Sequence, residues 1–474
     1  MTAESALSKV LFRLVGDQHA VGVARWRRAS MTALTTVGAR GLSILTGLIS
    51  VPLTLRYLGA ERYGVWMTIS SAVVLLVFAD FGLGSGVVNA VSHADGTDDQ
   101  GRAAEVVSSA FFMLLGIAAA VAALFAALSR LVPWHTVFNV TSPAARSELL
   151  PTMAVIVGGF VIGLPLGVVQ RVQIGYQQGY RNNFWQMAGN VLGLCGILVA
   201  IHYKASLPWL VLCMTGGSSL ALICNFANHF YRVRPWLRPR PALVNWPTCR
   251  NLMRVGMVFC GLTLAALLGT STDELIIAHA RGSAAVAQYD VVYKLSSLTL
   301  LIQYFTVSLW PAFSEAQARG DGAWLRSAFR RTTAMAALLA TCMCLGLLVF
   351  GRYVVHLWVG KALVPSFVLL LGFCCYRFVT NISETAVSLL NTAPLLHTQL
   401  RISAIAAVVA VCAKVIAAHY AGGVGVIWAT AATYGALFSL PAVITADVWS
   451  SRFAQQPAFA SAAANAVPES EPVN

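Results

Sequence analysis

Arg56-Tyr57-Leu58-Gly59-Ala60-Glu61-Arg62-Tyr63-Gly64 is a short polar turn between two long apolar runs within residues 30–95. Each run has about the length a helix needs to cross a bilayer, roughly 20 residues at ~1.5 Å each. Both therefore read as membrane spans. The second closes on Asp80-Phe81-Gly82-Leu83-Gly84. That places a carboxylate in a segment otherwise suited to hydrocarbon, where ionisable groups are costly and face a cavity or a partner.

The pattern returns in the second half. A span ends in Ile276-Ile277-Ala278-His279-Ala280-Arg281-Gly282, a short turn follows, and another span runs from near Tyr289 to Asp321-Gly322. Setting Tyr63 against Tyr289 also sets Asp95-Gly96 against Asp321-Gly322, so the chain reads as two homologous halves.

Hydrophobic residues make up 58% of the chain and charged residues 11%, far from the soluble average of about 25% charged. The composition is that of an all-α integral membrane protein. The cysteines fall mostly inside apolar runs, and Cys342 and Cys344 point to different helix faces, so neither a disulfide framework nor a metal site is indicated. A net charge of +14 raises the question of nucleic acid. The basic residues instead alternate between loops, the positive-inside pattern of a multi-pass protein, and no nucleic-acid partner is expected.

Residues 1–29 form a basic cytoplasmic segment without a cleavable signal. In it, Leu7, Val10, Leu11, Leu14 and Val15 keep the spacing of an amphipathic helix, while a plain basic tail is the alternative. Six spans fill residues 30–230. A Pro- and Arg-rich linker covers 231–251, too polar for a bilayer, and six further spans fill 252–450 before a disordered cytoplasmic tail at 451–474. Twelve spans with both termini inside put Lys and Arg predominantly in the inner loops.

Arg40, Asp80, Lys294, Arg377 and Lys414 lie within these spans. Arg40 and Asp80 sit at compatible depths, so they form either a structural pair or a substrate- or ion-linked one. Asp290 and Lys294 have i,i+4 spacing. Arg377, Asn381, Glu384, Ser388 and Asn391 form a polar stripe on one face of span 10, which should line a cavity or bury against other spans. Lys294, Arg377 and Lys414, with Arg40, make a candidate cationic cavity suited to phosphate or pyrophosphate, snorkelling being the alternative for Lys414. Gly189 and Gly193 have GxxxG spacing, which permits close helix approach. There is no Walker loop and no HExxH motif, and the adjacent acids Asp273 and Glu274 diverge on a helix, so no enzyme is expected.

Leu58-Gly59 with Tyr63-Gly64, then Asp80-Phe81-Gly82-Leu83-Gly84, and later Asp273-Glu274-Leu275-Ile276-Ile277 with Tyr289, resemble bacterial polysaccharide transporters and O-antigen flippases. These belong to the multidrug/oligosaccharidyl-lipid/polysaccharide exporter superfamily. The resemblance covers about residues 30–450. It implies about twelve transmembrane helices in two six-helix lobes around a central cleft. It also implies a flippase that moves undecaprenyl-pyrophosphate-linked oligosaccharide across the bacterial inner membrane for O-antigen, capsule or exopolysaccharide synthesis. Membrane lipids, a polysaccharide polymerase and chain-length machinery are the partners it suggests. No cofactor or metal is expected, and a proton or sodium gradient is the candidate drive. Asn89 departs from the basic residue expected after the Asp-Gly stretch. A cation-coupled multidrug exporter of the same superfamily is the alternative, although its cavity would want acids rather than bases.

Overall fold

The computed structural model describes residues 17–138, 143–361 and 364–455. Every regular element among them is helical, and the chain divides into two compact units. The proposed amphipathic stretch at Leu7–Val15 and most of the C-terminal tail lie outside the described residues.

The first unit comprises residues 27–95 and 99–260. Its helices are α1 (Asp17–Val74), α2 (Leu83–Gly96), α3 (Gln100–Leu131), α4 (Pro143–Leu166), α5 (Val168–Gly175), α6 (Gly179–His202) and α7 (Leu207–Ala227). Leu83, Val87 and Val91 of α2 share a core with Val107 and Ala110 of α3 and Val168 and Val172 of α5. On α6, Gly189 and Gly193 abut Gly217 and Ser218 of α7 so closely that a Cβ at Gly217 would overlap the backbone of Gly193. The GxxxG spacing thus does what small residues do in membranes, where backbone proximity replaces the hydrophobic drive.

The second unit comprises residues 17–26, 96–98 and the described residues from 261 to 455. The helices of this half are α8 (Trp246–Thr270), α9 (Asp273–Arg281), α10 (Ser283–Ser296), α11 (Leu300–Val307), α12 (Trp310–Ala318), α13 (Gly322–Val359), α14 (Phe367–Leu390), α15 (Leu396–Tyr434) and α16 (Leu440–Gln455). Ile277, Tyr289, Phe373, Ala418 and Val426 form its core. All ten cysteines are free.

Large apolar side chains remain on the outside, among them Leu131, Leu338, Val349 and Leu357. In water such a surface would aggregate, whereas a bilayer solvates it. Nine helical stretches among the described residues are long and apolar enough to cross a membrane. Leu396–Gln455 has 60 residues and is broken at Gly422 (φ 56°), so it holds two crossings. The α1 helix likewise continues past a break at Gly59 into a second. The chain is an all-α, multi-pass protein of about twelve spans.

Three features differ from the sequence reading. First, Gly59 (φ 76°, ψ 168°) and Gly282 (φ 82°, ψ 170°) adopt the same left-handed turn, a conformation that favours glycine. Asp99 and Asp321 both cap the helix that follows, their side chains accepting from Arg102 N and Trp324 N. The repeat therefore aligns Gly59 with Gly282 and Asp99 with Asp321. This shifts the Tyr63/Tyr289 register by a few residues and brings the buried Trp66 opposite the buried Tyr289.

Second, α1 is already helical at Asp17, and Arg25 is one of the most buried side chains in the protein. Its guanidinium pairs with Asp321 at 2.8 Å and with Glu315 at 3.4 Å, and it lies 4.6 Å from the Trp324 ring centroid. Third, the Arg-rich linker, which the sequence marks only as too polar for a bilayer, is packed. Leu237 is fully buried, Arg240 N and Asn245 N donate to Ser108 and Ser109 of α3, and Arg234 stacks 3.4 Å over Tyr176.

Candidate functional site

Spans 2 and 8 occupy corresponding places in the two halves, and both are discontinuous. The first passes from α1 into a 3-10 turn at Leu75–Asp80 and then through Phe81 and Gly82, both at positive φ, into α2. The second breaks at the 3-10 turn Ser297–Thr299 between α10 and α11. Paired interruptions of this kind mark substrate sites in repeat-built transporters, because the freed backbone must face a cavity or protein.

At the first break, Asp80 Oδ1 accepts the N–H of Gly82 at 2.9 Å. Short acidic side chains commonly close such turns on their own backbone. No bond joins Asp80 to Arg40 among the described residues. The expected pair is not seen; what holds Asp80 is the N–H that the left-handed Phe81-Gly82 turn leaves for one oxygen of its carboxylate. Arg40 is exposed on α1 and has interactions of its own. Gly82 meets α8 backbone to backbone, since a Cβ there would overlap Gly256 O.

The second unit separates the expected cationic set. Lys414 is fully buried, its Nζ 2.5 Å from Asp273 Oδ1 and also donating to Gly269 O. Tyr289 OH donates to the other oxygen of Asp273 at 2.5 Å. Lys414 is therefore neutralised in place and does not snorkel, and the acid that does this is one the sequence placed near a span end. Lys294 pairs with Asp290 at 2.6 Å as its i,i+4 spacing predicts, but its side chain is 62% exposed and so is not deep in a cavity.

Arg377 is different. It is buried on α14, its Nε donates to Ser296 Oγ at 3.2 Å beside the break in span 8, and its guanidinium lies 5.1 Å from the Tyr293 ring and 5.5 Å from the Tyr376 ring. Its Nη2 has no hydrogen-bond partner among the described residues. A buried guanidinium with an unused donor is costly unless a ligand completes it.

The rest of the stripe divides between packing and cavity. Asn381 and Ser388 are buried, Asn381 donating to Arg377 O at 2.8 Å. Glu384 lines a cavity of about 130 Å³ with Gln399, Ser403, Thr430, Tyr434 and apolar side chains of α8 and α15. In the first unit, Gln170, Trp185, Gln186, Asn190 and Asn225 line a larger cavity of about 280 Å³. Charge-based reading overlooked this site. Its signal was the fourfold spacing of Asn182, Gln186 and Asn190 on one face of α6, the last two of which line the cavity.

The fold has known counterparts. A multidrug resistance MATE family transporter of the MOP superfamily, solved in an outward-facing conformation, superposes with a TM-score of 0.74 at 13% identity, covering 91% of this chain and 95% of that one. The chain therefore shares the fold of that transporter. Residues 28–317 match the model of the family described as polysaccharide biosynthesis protein, and the chain belongs to that family. A "Putative O-antigen export protein" of Yersinia pseudotuberculosis is 21% identical over 296 residues, 61% of this chain and 66% of that protein. A "Putative O-antigen transporter" of Salmonella typhi is 22% identical over 278 residues, 57% and 62% of the two chains. The chain thus matches just under two thirds of the length of these curated relatives.

Proposed function

We propose that this protein is a flippase that carries undecaprenyl-pyrophosphate-linked oligosaccharide from the cytoplasmic to the periplasmic face of a bacterial inner membrane. The observation that carries the reading is Arg377, a buried guanidinium with an open donor beside a broken span. Pyrophosphate oxygens accept from such a planar guanidinium donor through charge-assisted hydrogen bonds, which strengthen where water is excluded. Family membership and the O-antigen relatives supply the glycan side of the reading. A proton or sodium gradient is the proposed drive, and the packed Arg-rich linker is placed in the cytoplasm by the positive-inside bias.

Accumulation of unpolymerised lipid-linked glycan in the inner leaflet of a deletion strain, relieved by the wild-type gene, is the test. Labelling of an Arg238→Cys variant from the cytoplasmic side alone checks the orientation. A second reading, export of amphipathic cations, rests on the single acid Glu384 in its largely apolar cavity. Drug resistance conferred without any change in lipid-linked glycan would favour it.

A further inference from the structure

The first-unit cavity is walled by α4 to α7 and has no ionisable residue along it. Gln170, Gln186, Asn190 and Asn225 supply amides, Ser218 a hydroxyl and Trp185 an aromatic ring. At about 280 Å³ it far exceeds the ~30 Å³ share of one water and approaches the ~300 Å³ of small ligand clefts. Along its wall, Asn225 and Gln173 satisfy one another through two reciprocal hydrogen bonds between their side-chain amides, 2.6 and 3.1 Å long. Asn190 Nδ2, by contrast, is buried with no partner among the described residues. Inside a membrane protein an unpaired amide is expensive, and an apolar side chain would have served the packing better.

The chemistry of the wall narrows the ligand. A phosphate would find no cation here, and a cationic drug would find no acid. Amides both donate and accept, as vicinal hydroxyls do, and an indole offers a flat apolar surface to the C–H face of a sugar ring. We infer that this cavity is a subsite for an uncharged sugar ring of the transported glycan, with Asn190 and Gln186 as its hydrogen-bonding residues. The inference rests on the flippase reading. It assigns the sugar to the amides of Gln186 and Asn190 by their chemistry, separately from the pyrophosphate contact proposed at Arg377.

The test is binding to the purified full chain in nanodiscs, with undecaprenyl pyrophosphate bearing one N-acetylhexosamine and undecaprenyl pyrophosphate alone as probes. Wild type should bind the glycosylated probe about tenfold more tightly, the effect of one or two buried hydrogen bonds. Asn190→Leu and Gln186→Leu should each remove most of that difference and leave affinity for the bare carrier unchanged. Gln186 is exposed at the rim, so its substitution reads the site even if Asn190→Leu fails to fold. Sugar preference retained in Gln186→Leu, or equal loss for both probes, would overturn the subsite. Equal wild-type affinity for the two probes would also overturn it while leaving the flippase reading intact. Failure of wild type to bind either probe would instead remove the flippase reading itself.

Discussion

Lys414 Nζ lies 2.5 Å from Asp273 Oδ1, with the lysine side chain wholly withdrawn from the surface. Removing one member of such a pair strands the other charge, at a cost of about 3–5 kcal/mol, whereas removing both together is often nearly neutral. Lys414→Met should therefore lower the thermal midpoint and the membrane-inserted yield, and adding Asp273→Asn should restore much of both. Thermal unfolding of the purified single and double variants measures this. An unperturbed Lys414→Met protein would show that the pair is not structural.

Arg377 and Lys294 should separate in function although the sequence groups them. Arg377→Ala should cut glycan flux at least about tenfold while the protein remains inserted, because it removes a charge-assisted contact at a dry site. Lys294→Ala should stay near wild type, since exposed i,i+4 pairs contribute little. Lipid-linked glycan accumulation in complemented deletion strains reads both. Wild-type flux in Arg377→Ala would end the argument for a pyrophosphate contact there.

The Asp80 turn makes a prediction opposite to that of an Arg40 partnership. Asn keeps an oxygen that can accept from Gly82 N, so Asp80→Asn should preserve protein level with Arg40 untouched, whereas Asp80→Leu should lower it. Gly82→Ala should be worse than either, because φ 71° disfavours a side chain and a Cβ would overlap Gly256 O. Its cost should exceed about 2 kcal/mol. Yield and melting of the three variants order them, and a tolerated Gly82→Ala would refute the close contact.

Arg25 should behave as an internal residue and not as part of a tail. Arg25→Ala leaves Asp321 without its guanidinium and Glu315 with Arg319 alone, and should destabilise by about 3 kcal/mol. Arg25→Lys should recover part of this, keeping the charge but losing the fork and the stacking on Trp324. Thermal midpoints of the two variants against wild type provide the comparison.

Local features were legible in the chain. The Gly189/Gly193 contact, the Asp290–Lys294 pair and the breaks at Gly59 and Gly282 each depend on neighbours a few residues away. The partners of Arg25 and Lys414 were not legible, because Glu315 is 290 positions from Arg25 and Asp273 is 141 from Lys414. Buried charge was therefore read as cavity charge where a distant residue had already cancelled it. The amide cavity escaped for another reason: Gln and Asn alter hydropathy without altering charge, and attention to charge passed over the Asn182–Asn190 stripe. Asp80 shows the reverse error, a long-range partner sought for a group that had found one two residues away.

The glycine contact between α6 and α7 also bears on selectivity. At Gly189 and Gly193 the two backbones meet with only the Ala221 methyl beside them, so few rotamers can re-sort at the seam between the helices that carry Asn190 and Asn225. A wall fixed in this way is already ordered before any ligand arrives, which lowers the entropic cost of binding. If the cavity holds a sugar as inferred above, such a wall would also adapt poorly to a hydroxyl of the wrong epimer. The mismatch would leave an amide unpaired, and stereochemical discrimination among glycans would then follow from the stiffness of a two-helix seam.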